Sequence, residues 1–131
     1  MKIYLGLYLG LVSISAYANN DFFCLTNSNQ KVILLVPANY PDTDKVQYYP
    51  YLKDIKISKP IKTNIVDMGE GAKPEIYRTV NEIFRNKITG NYTFMSQGYL
   101  IYKATYVNKR NNKKTNFVRE YELVLKGVNC L

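Results

Sequence analysis

The chain contains no histidine and no tryptophan. Without an imidazole it lacks the commonest general base, the Ser–His and Cys–His nucleophile pairs, and the commonest metal ligand. Cysteine is almost as scarce: Cys24 and Cys130 are the whole complement, too few and too far apart in sequence for a thiolate zinc site. With 7 glycines and 5 prolines, no Pro/Gly/Ser-rich linker, low-complexity tract or internal repeat divides the sequence. The segment Gly69-Glu70-Gly71-Ala72-Lys73-Pro74 has the glycines of a phosphate loop but not its Gly-Lys-Ser/Thr ending, and reads as a turn. No cofactor and no metal are expected.

Carboxylates are the remaining route to catalysis. Glu75 with Glu82, or Glu120 with Glu122, are the pairs that could support glycoside hydrolysis. Acids two apart on a strand ordinarily form a solvated face, and these stand among basic residues. The expectation is a protein that is not an enzyme.

What is present begins with a leader. Lys2, an apolar stretch over residues 3–14 and the small-x-small triplet Ala16-Tyr17-Ala18 have the form of a secretory signal peptide cleaved after Ala18. The apolar run is short for a membrane span and no stop-transfer charges follow it, so no permanent membrane anchor is expected. Cys24 follows Phe22-Phe23 rather than a small residue, which argues against lipidation. The expected location is therefore the periplasm or the exterior. Residues 19–131 suit one β-rich domain with one core. In an oxidising compartment Cys24 and Cys130 should form a disulfide, which requires the two ends of the domain to meet.

Within that domain the recurring signal is β chemistry. Residues 31–36 (KVILLV) are continuously apolar, as in a strand covered on both faces. Residues 46–52 (VQYYPYL) are aromatic but contain Pro50, predicting an edge strand or extended loop. Short alternating runs follow at 54–58 and 61–66. Two readings compete near residues 75–85: Ile76, Val80, Ile83 and Phe84 fit the stripe of a short helix, whereas the Tyr, Thr, Val, Ile and Phe content and the neighbouring strands favour a strand. Residues 87–94 and 99–107 alternate as strands, with Gly90 marking a bulge. Residues 108–114 (NKRNNKK) form a polar hairpin tip. A final long strand is expected to carry Phe117, Tyr121, Leu123 and Leu125 on one face. The fold class is mainly β, a single antiparallel meander closing into a small barrel or two-layer sandwich. Asn91-Tyr92-Thr93 matches a glycosylation acceptor but falls inside a predicted strand.

Two features suit binding. Tyr48, Tyr49 and Tyr51 flank Pro50, with Tyr40 upstream, and tyrosine gives large contact area at small entropic cost. Lys109, Arg110, Lys113 and Lys114 concentrate positive charge on the hairpin tip. The chain as a whole has 18 Lys and Arg against 10 Asp and Glu, a formal net charge of +8. Export makes nucleic acid an unsuitable partner and leaves acidic proteins, wall polymers and lipid headgroups. With Phe22-Phe23-Cys24 near the mature start, Gly90-Asn91-Tyr92-Thr93-Phe94, Gln97-Gly98 and Cys130 at the end, the chain resembles small exported proteins of Gram-negative bacteria that neutralise lysozymes or secreted antibacterial effectors. The resemblance implies an inhibitor or immunity protein occluding a toxin or wall-degrading enzyme. Many lysozymes are themselves basic, so electrostatics favours an acidic partner. The alternative is a periplasmic carrier or sensor of a small apolar or anionic envelope ligand.

Overall fold

The computed structural model describes residues 20–27, 29 and 31–131; the leader and cleavage site expected over residues 1–18 lie outside them. Ten strands, and no helix among the described residues, make the fold: β1 (Asp21–Asn27), β2 (Val32–Pro37), β3 (Lys45–Tyr49), β4 (Ile55–Ile57), β5 (Lys62–Val66), β6 (Glu75–Phe84), β7 (Lys87–Gln97), β8 (Leu100–Asn108), β9 (Lys114–Arg119) and β10 (Asn129–Cys130). Antiparallel neighbours run β1-β2-β3-β4-β6-β7-β8-β9, and β9 returns to β1 through Leu25↔Arg119 and Thr26↔Val118. That last pairing closes an eight-stranded barrel, the size at which side chains alone can fill the interior.

Alternation decides which side chains fill it. Phe23 and Leu25 of β1, Leu34 and Val36 of β2, Val46 of β3, Ile57 of β4, Val80 of β6, Tyr92 and Phe94 of β7, and Phe117 of β9 are buried together. On β8 the inward residues are Ile101 and Ala104, three apart rather than two. A bulge explains the skipped step, since Met95 pairs with Lys103 while Ser96 pairs with Ile101, leaving Tyr102 unopposed. A second bulge sits where Glu82 faces Gly90 and Ile83 faces Ile88, so Thr89 is the extra residue. The predicted irregularity at Gly90 is thus one residue away. A Cβ on Gly90 would stand 2.5 Å from the Tyr106 hydroxyl and 2.7 Å from the Val107 carbonyl oxygen. The missing side chain is what lets Tyr106 cross over β7.

A second, smaller core lies outside the barrel. The outward residues Phe22, Cys24 and Leu35 are covered by Leu123, Leu125, Val128 and Cys130, with Ile33 and Tyr49 at its margin. This is why residues 31–36 are apolar without interruption: β2 is buried on both faces. Cys24 and Cys130 are joined, with Cα atoms 5.4 Å apart, and β10 lies parallel to β1 beside the bridge.

Of the two readings of residues 75–85 the favoured one, a strand, is borne out, because β4 and β5 pair along one edge of β6 and β7 along the other. Two expectations are corrected. β3 is not an edge strand: it lies between β2 and β4 and simply ends before Pro50. The final long strand stops at Arg119. The chain then turns, with Glu122 at φ 63 and Gly127 at φ 80, so that its apolar residues can fold back over β1 and β2 to reach Cys24.

The disulfide spans 106 residues, and the chain-entropy model gives a bridge over a loop of this size about 4–5 kcal/mol. The double substitution Cys24→Ala/Cys130→Ala is expected to lose stability on that order in urea titration, with the outer core loosened while the barrel signal persists. Gly90→Ala should cost about 1–3 kcal/mol by overpacking, read as a lowered thermal midpoint.

Candidate functional site

Four connections share one end of the barrel: β1 to β2, β3 to β4 through residues 50–54, β6 to β7 through Arg85-Asn86, and β8 to β9 through residues 109–113. Both sequence-predicted binding features meet here. The hairpin tip is held against β7 by Lys109 N–H donating to the Thr89 carbonyl at 3.0 Å. Its asparagines shape it: Asn108 Oδ1 accepts from Arg110 N–H and Asn111 Oδ1 from Lys113 N–H, both at 2.9 Å, and Asn112 takes φ 58. Lys109, Arg110, Lys113 and Lys114 therefore stand exposed on an ordered turn. Lys31, Lys53, Lys56, Arg85 and Lys87 add exposed positive charge from the other loops and strand ends. Asp54 and Glu82 are the acids among them, and Asp54 is engaged by Lys45 at 3.6 Å and by Gln47 Nε2 at 2.6 Å.

The tyrosine run is divided by the pleat. Tyr48 points inward, its hydroxyl 2.8 Å from that of Tyr92. Tyr49 points outward and donates to the Lys126 carbonyl at 3.3 Å, at the edge of the outer core. Tyr51 is 78% exposed and is the member of the run presented fully to solvent. Tyr40 sits elsewhere, edge-on to Phe94 with ring centroids 5.3 Å apart and the Arg78 guanidinium over its ring.

Below the charged rim lies a polar layer that sequence reading passed over. Glu82 Oε1 accepts from Tyr106 Oη at 2.5 Å and from Thr89 Oγ1 at 2.8 Å, beside the Tyr48–Tyr92 pair; the Tyr92 ring stacks on Phe94 and meets Tyr106 at a tilt, while the Tyr48 ring packs against Phe117. Burial pushes the Tyr48 hydroxyl up to about 12, opposed by its hydrogen bond to Tyr92 and assisted by the Glu82 charge. Burial likewise raises Tyr92 and Tyr106, the latter also through its hydrogen bond to Glu82. The signal that could have exposed this layer is the inward parity of residues 48, 82, 92 and 106 once the register is known.

Two open clefts adjoin at this end. One, of about 750 Å³, is lined by Tyr48, Tyr51, Ile55, Ile83 and Phe84 with Lys53, Lys56 and Arg85 at its rim. The other, of about 880 Å³, lies between the β6–β7 turn and the hairpin tip and has Lys87, Lys109 and Arg110 as its charged residues. They share Asn86 and Thr89. The carboxylate pairs do not converge. Glu75 and Glu82 are at opposite ends of β6, roughly 20 Å apart at strand rise. Glu120 and Glu122 are exposed in the turns after β9. Among the described residues no group of three or more acids or cysteines could hold a metal ion. Asn91 lies within β7, paired on both sides, rather than in an exposed loop.

No protein-family model matches the chain, and neither a curated protein nor a solved structure matches it.

Because a tyrosine raised in the folded state stays protonated there, the stability it confers is complete below the unfolded value of 10 and drains away as pH climbs through the raised values. Alkaline titration should show Tyr48, Tyr92 and Tyr106 ionising only with cooperative unfolding, at about pH 12 or above, followed by tyrosinate absorbance alongside circular dichroism.

Proposed function

We propose that this is an exported binding protein of the inhibitor or immunity type, which holds an acidic protein against the basic end of its barrel. On this reading residues 1–18 are removed during export and the domain works in the periplasm or outside the cell, in keeping with its disulfide. One observation carries the proposal: Tyr51 and the cations of four separate connections come together on one end of a barrel whose interior is filled by its own side chains. A filled, sulfur-bridged barrel offers a rigid platform at small entropic cost to association. The rim supplies a long-range attractive field, and Tyr51, Leu52 and Phe84, all exposed, supply apolar contact once the surfaces meet. The partner that best matches this surface is a toxin or wall-degrading enzyme with an acidic face around its active-site cleft.

A second reading, a carrier or sensor of a small apolar or anionic envelope ligand, draws support from the adjoining clefts. An apolar groove beside a cationic one fits an anionic amphiphile, and their volumes lie in the range of about 300–1,000 Å³ usual for ligand pockets. Native mass spectrometry of the protein purified from its own envelope separates the two readings, since a carrier would retain a small-molecule adduct.

The decisive assay tests the purified mature domain against a panel of muramidases, amidases and secreted effectors running from basic to acidic. Inhibition confined to acidic members is expected. With Lys109, Arg110, Lys113 and Lys114 all changed to glutamate, the association rate should fall by about tenfold or more, and added salt should slow the unaltered protein in the same direction. An association rate untouched by the reversal removes the hairpin tip from the interface; no binding to any member defeats the proposal.

A further inference from the structure

At the far end of the barrel, β5 is a strand without a buried residue. Every residue over 59–74 is exposed, so β5 and the turn after it stand clear of the barrel as an arm joined to the edge of β6. β5 pairs with β6 alone, from Lys62↔Thr79 to Val66↔Glu75, and no other described strand pairs with its outer edge. The arm is nonetheless apolar where solubility would favour polar residues: Ile61 is 59% exposed, Ile65 67%, Val66 43% and Met68 44%. An open edge carrying exposed aliphatic side chains is a template for another strand.

We infer that β5 pairs antiparallel with β5 of a second copy of this chain, about a two-fold axis at Asn64, making one continuous sheet across two barrels. The charges around the strand select this occupant. Lys59 and Lys62 precede or begin β5, whereas Asp67 and Glu70 follow it. Antiparallel self-pairing lays the basic end of each copy beside the acidic end of the other, and sets Thr63 against Ile65 twice without opposing like charges. Ile61 and Ile65, which share a face of the strand by alternation, join their counterparts in one apolar strip on the common sheet. A two-fold contact of this kind is closed, so pairing stops at the dimer. The strand polarity also turns the two basic ends away from each other, giving the dimer one binding end at each extremity.

The edge is short, so the expected dissociation constant is on the order of 1–100 μM. Sedimentation velocity of the mature domain from low-micromolar to millimolar concentration should show a monomer–dimer equilibrium. Ile65→Lys should weaken it by at least about tenfold, and Asn64→Lys, which opposes like charges on the axis, should do the same. Both positions are exposed, so melting of the monomer should be unchanged. A charge exchange gives the specific signature. Lys59→Glu/Lys62→Glu makes both ends of one β5 acidic and Asp67→Lys/Glu70→Lys makes both ends of another basic; neither should self-associate, and their mixture should form a heterodimer. A monomer throughout the concentration range, a dimer indifferent to Ile65→Lys, or exchanged variants that fail to pair would each overturn the inference. None of these outcomes depends on the partner of the basic end, so the proposed function is tested separately.

Discussion

β1 is the strand on which the closed fold depends. It makes three sets of pairings, with β2 along its length, with β9 near its end and with β10 near its start, and it carries Cys24 between the last two. Each of its faces serves a different core: Phe23 and Leu25 enter the barrel, while Phe22 and Cys24 anchor the outer layer. Hydrogen bonding, burial and the covalent bridge thus fix the same register. A one-residue slip would put Phe23 outside and Cys24 inside, which the disulfide forbids.

Closure in turn determines what the basic end can be. An eight-stranded barrel has little interior volume to spare, and the apolar half of this one is taken up by Leu25, Leu34, Phe94, Ile101 and Phe117. Toward the basic end the filling becomes polar, with Glu82, Tyr48, Tyr92, Tyr106 and Thr89 satisfying one another. The Thr89 bulge and the bare backbone of Gly90 are the local adjustments that let Tyr106 reach Glu82. A satisfied hydrogen-bonded layer of this sort rigidifies what lies above it, so the cationic rim rests on a firm floor.

Much of this architecture was legible from residue pattern. The β-class, the continuous apolar strand later seen to be buried on both faces, the irregularity near Gly90 and the Cys24–Cys130 bridge were all expected from alternation, side-chain type and the presence of just two cysteines. At residues 75–85 the Tyr, Thr, Val, Ile and Phe content outweighed the helical spacing of Ile76, Val80 and Ile83, and the strands on both edges of β6 bear that reading out. The errors have a common physical origin in long-range pairing. Pro50 suggested an edge because local rules cannot reveal that β3 ends one residue earlier. Phe117, Tyr121, Leu123 and Leu125 alternate well, yet the tether from Cys130 to β1 bends the chain after Arg119, so that Phe117 fills the barrel, Leu123 and Leu125 join the outer core and Tyr121 is left exposed. The tyrosine run was visible as composition, but its division into an inward Tyr48, an outward Tyr49 and an exposed Tyr51 required the pleat. The convergence of Lys53 and Arg85 with the hairpin tip is a property of connection parity in the barrel and has no trace in the linear spacing.

The pairing of the first strand with the last has a temporal side. A polypeptide emerges N-terminus first, so Phe22-Phe23-Cys24-Leu25 leaves the ribosome about a hundred residues before β9 and β10 exist to cover it. Until then one edge of a strongly apolar hairpin stays bare, a sticky template of the kind that chaperones shield. The barrel can therefore close only once β9 has been made, and a molecule truncated before Lys114 would be left with its seam unsewn.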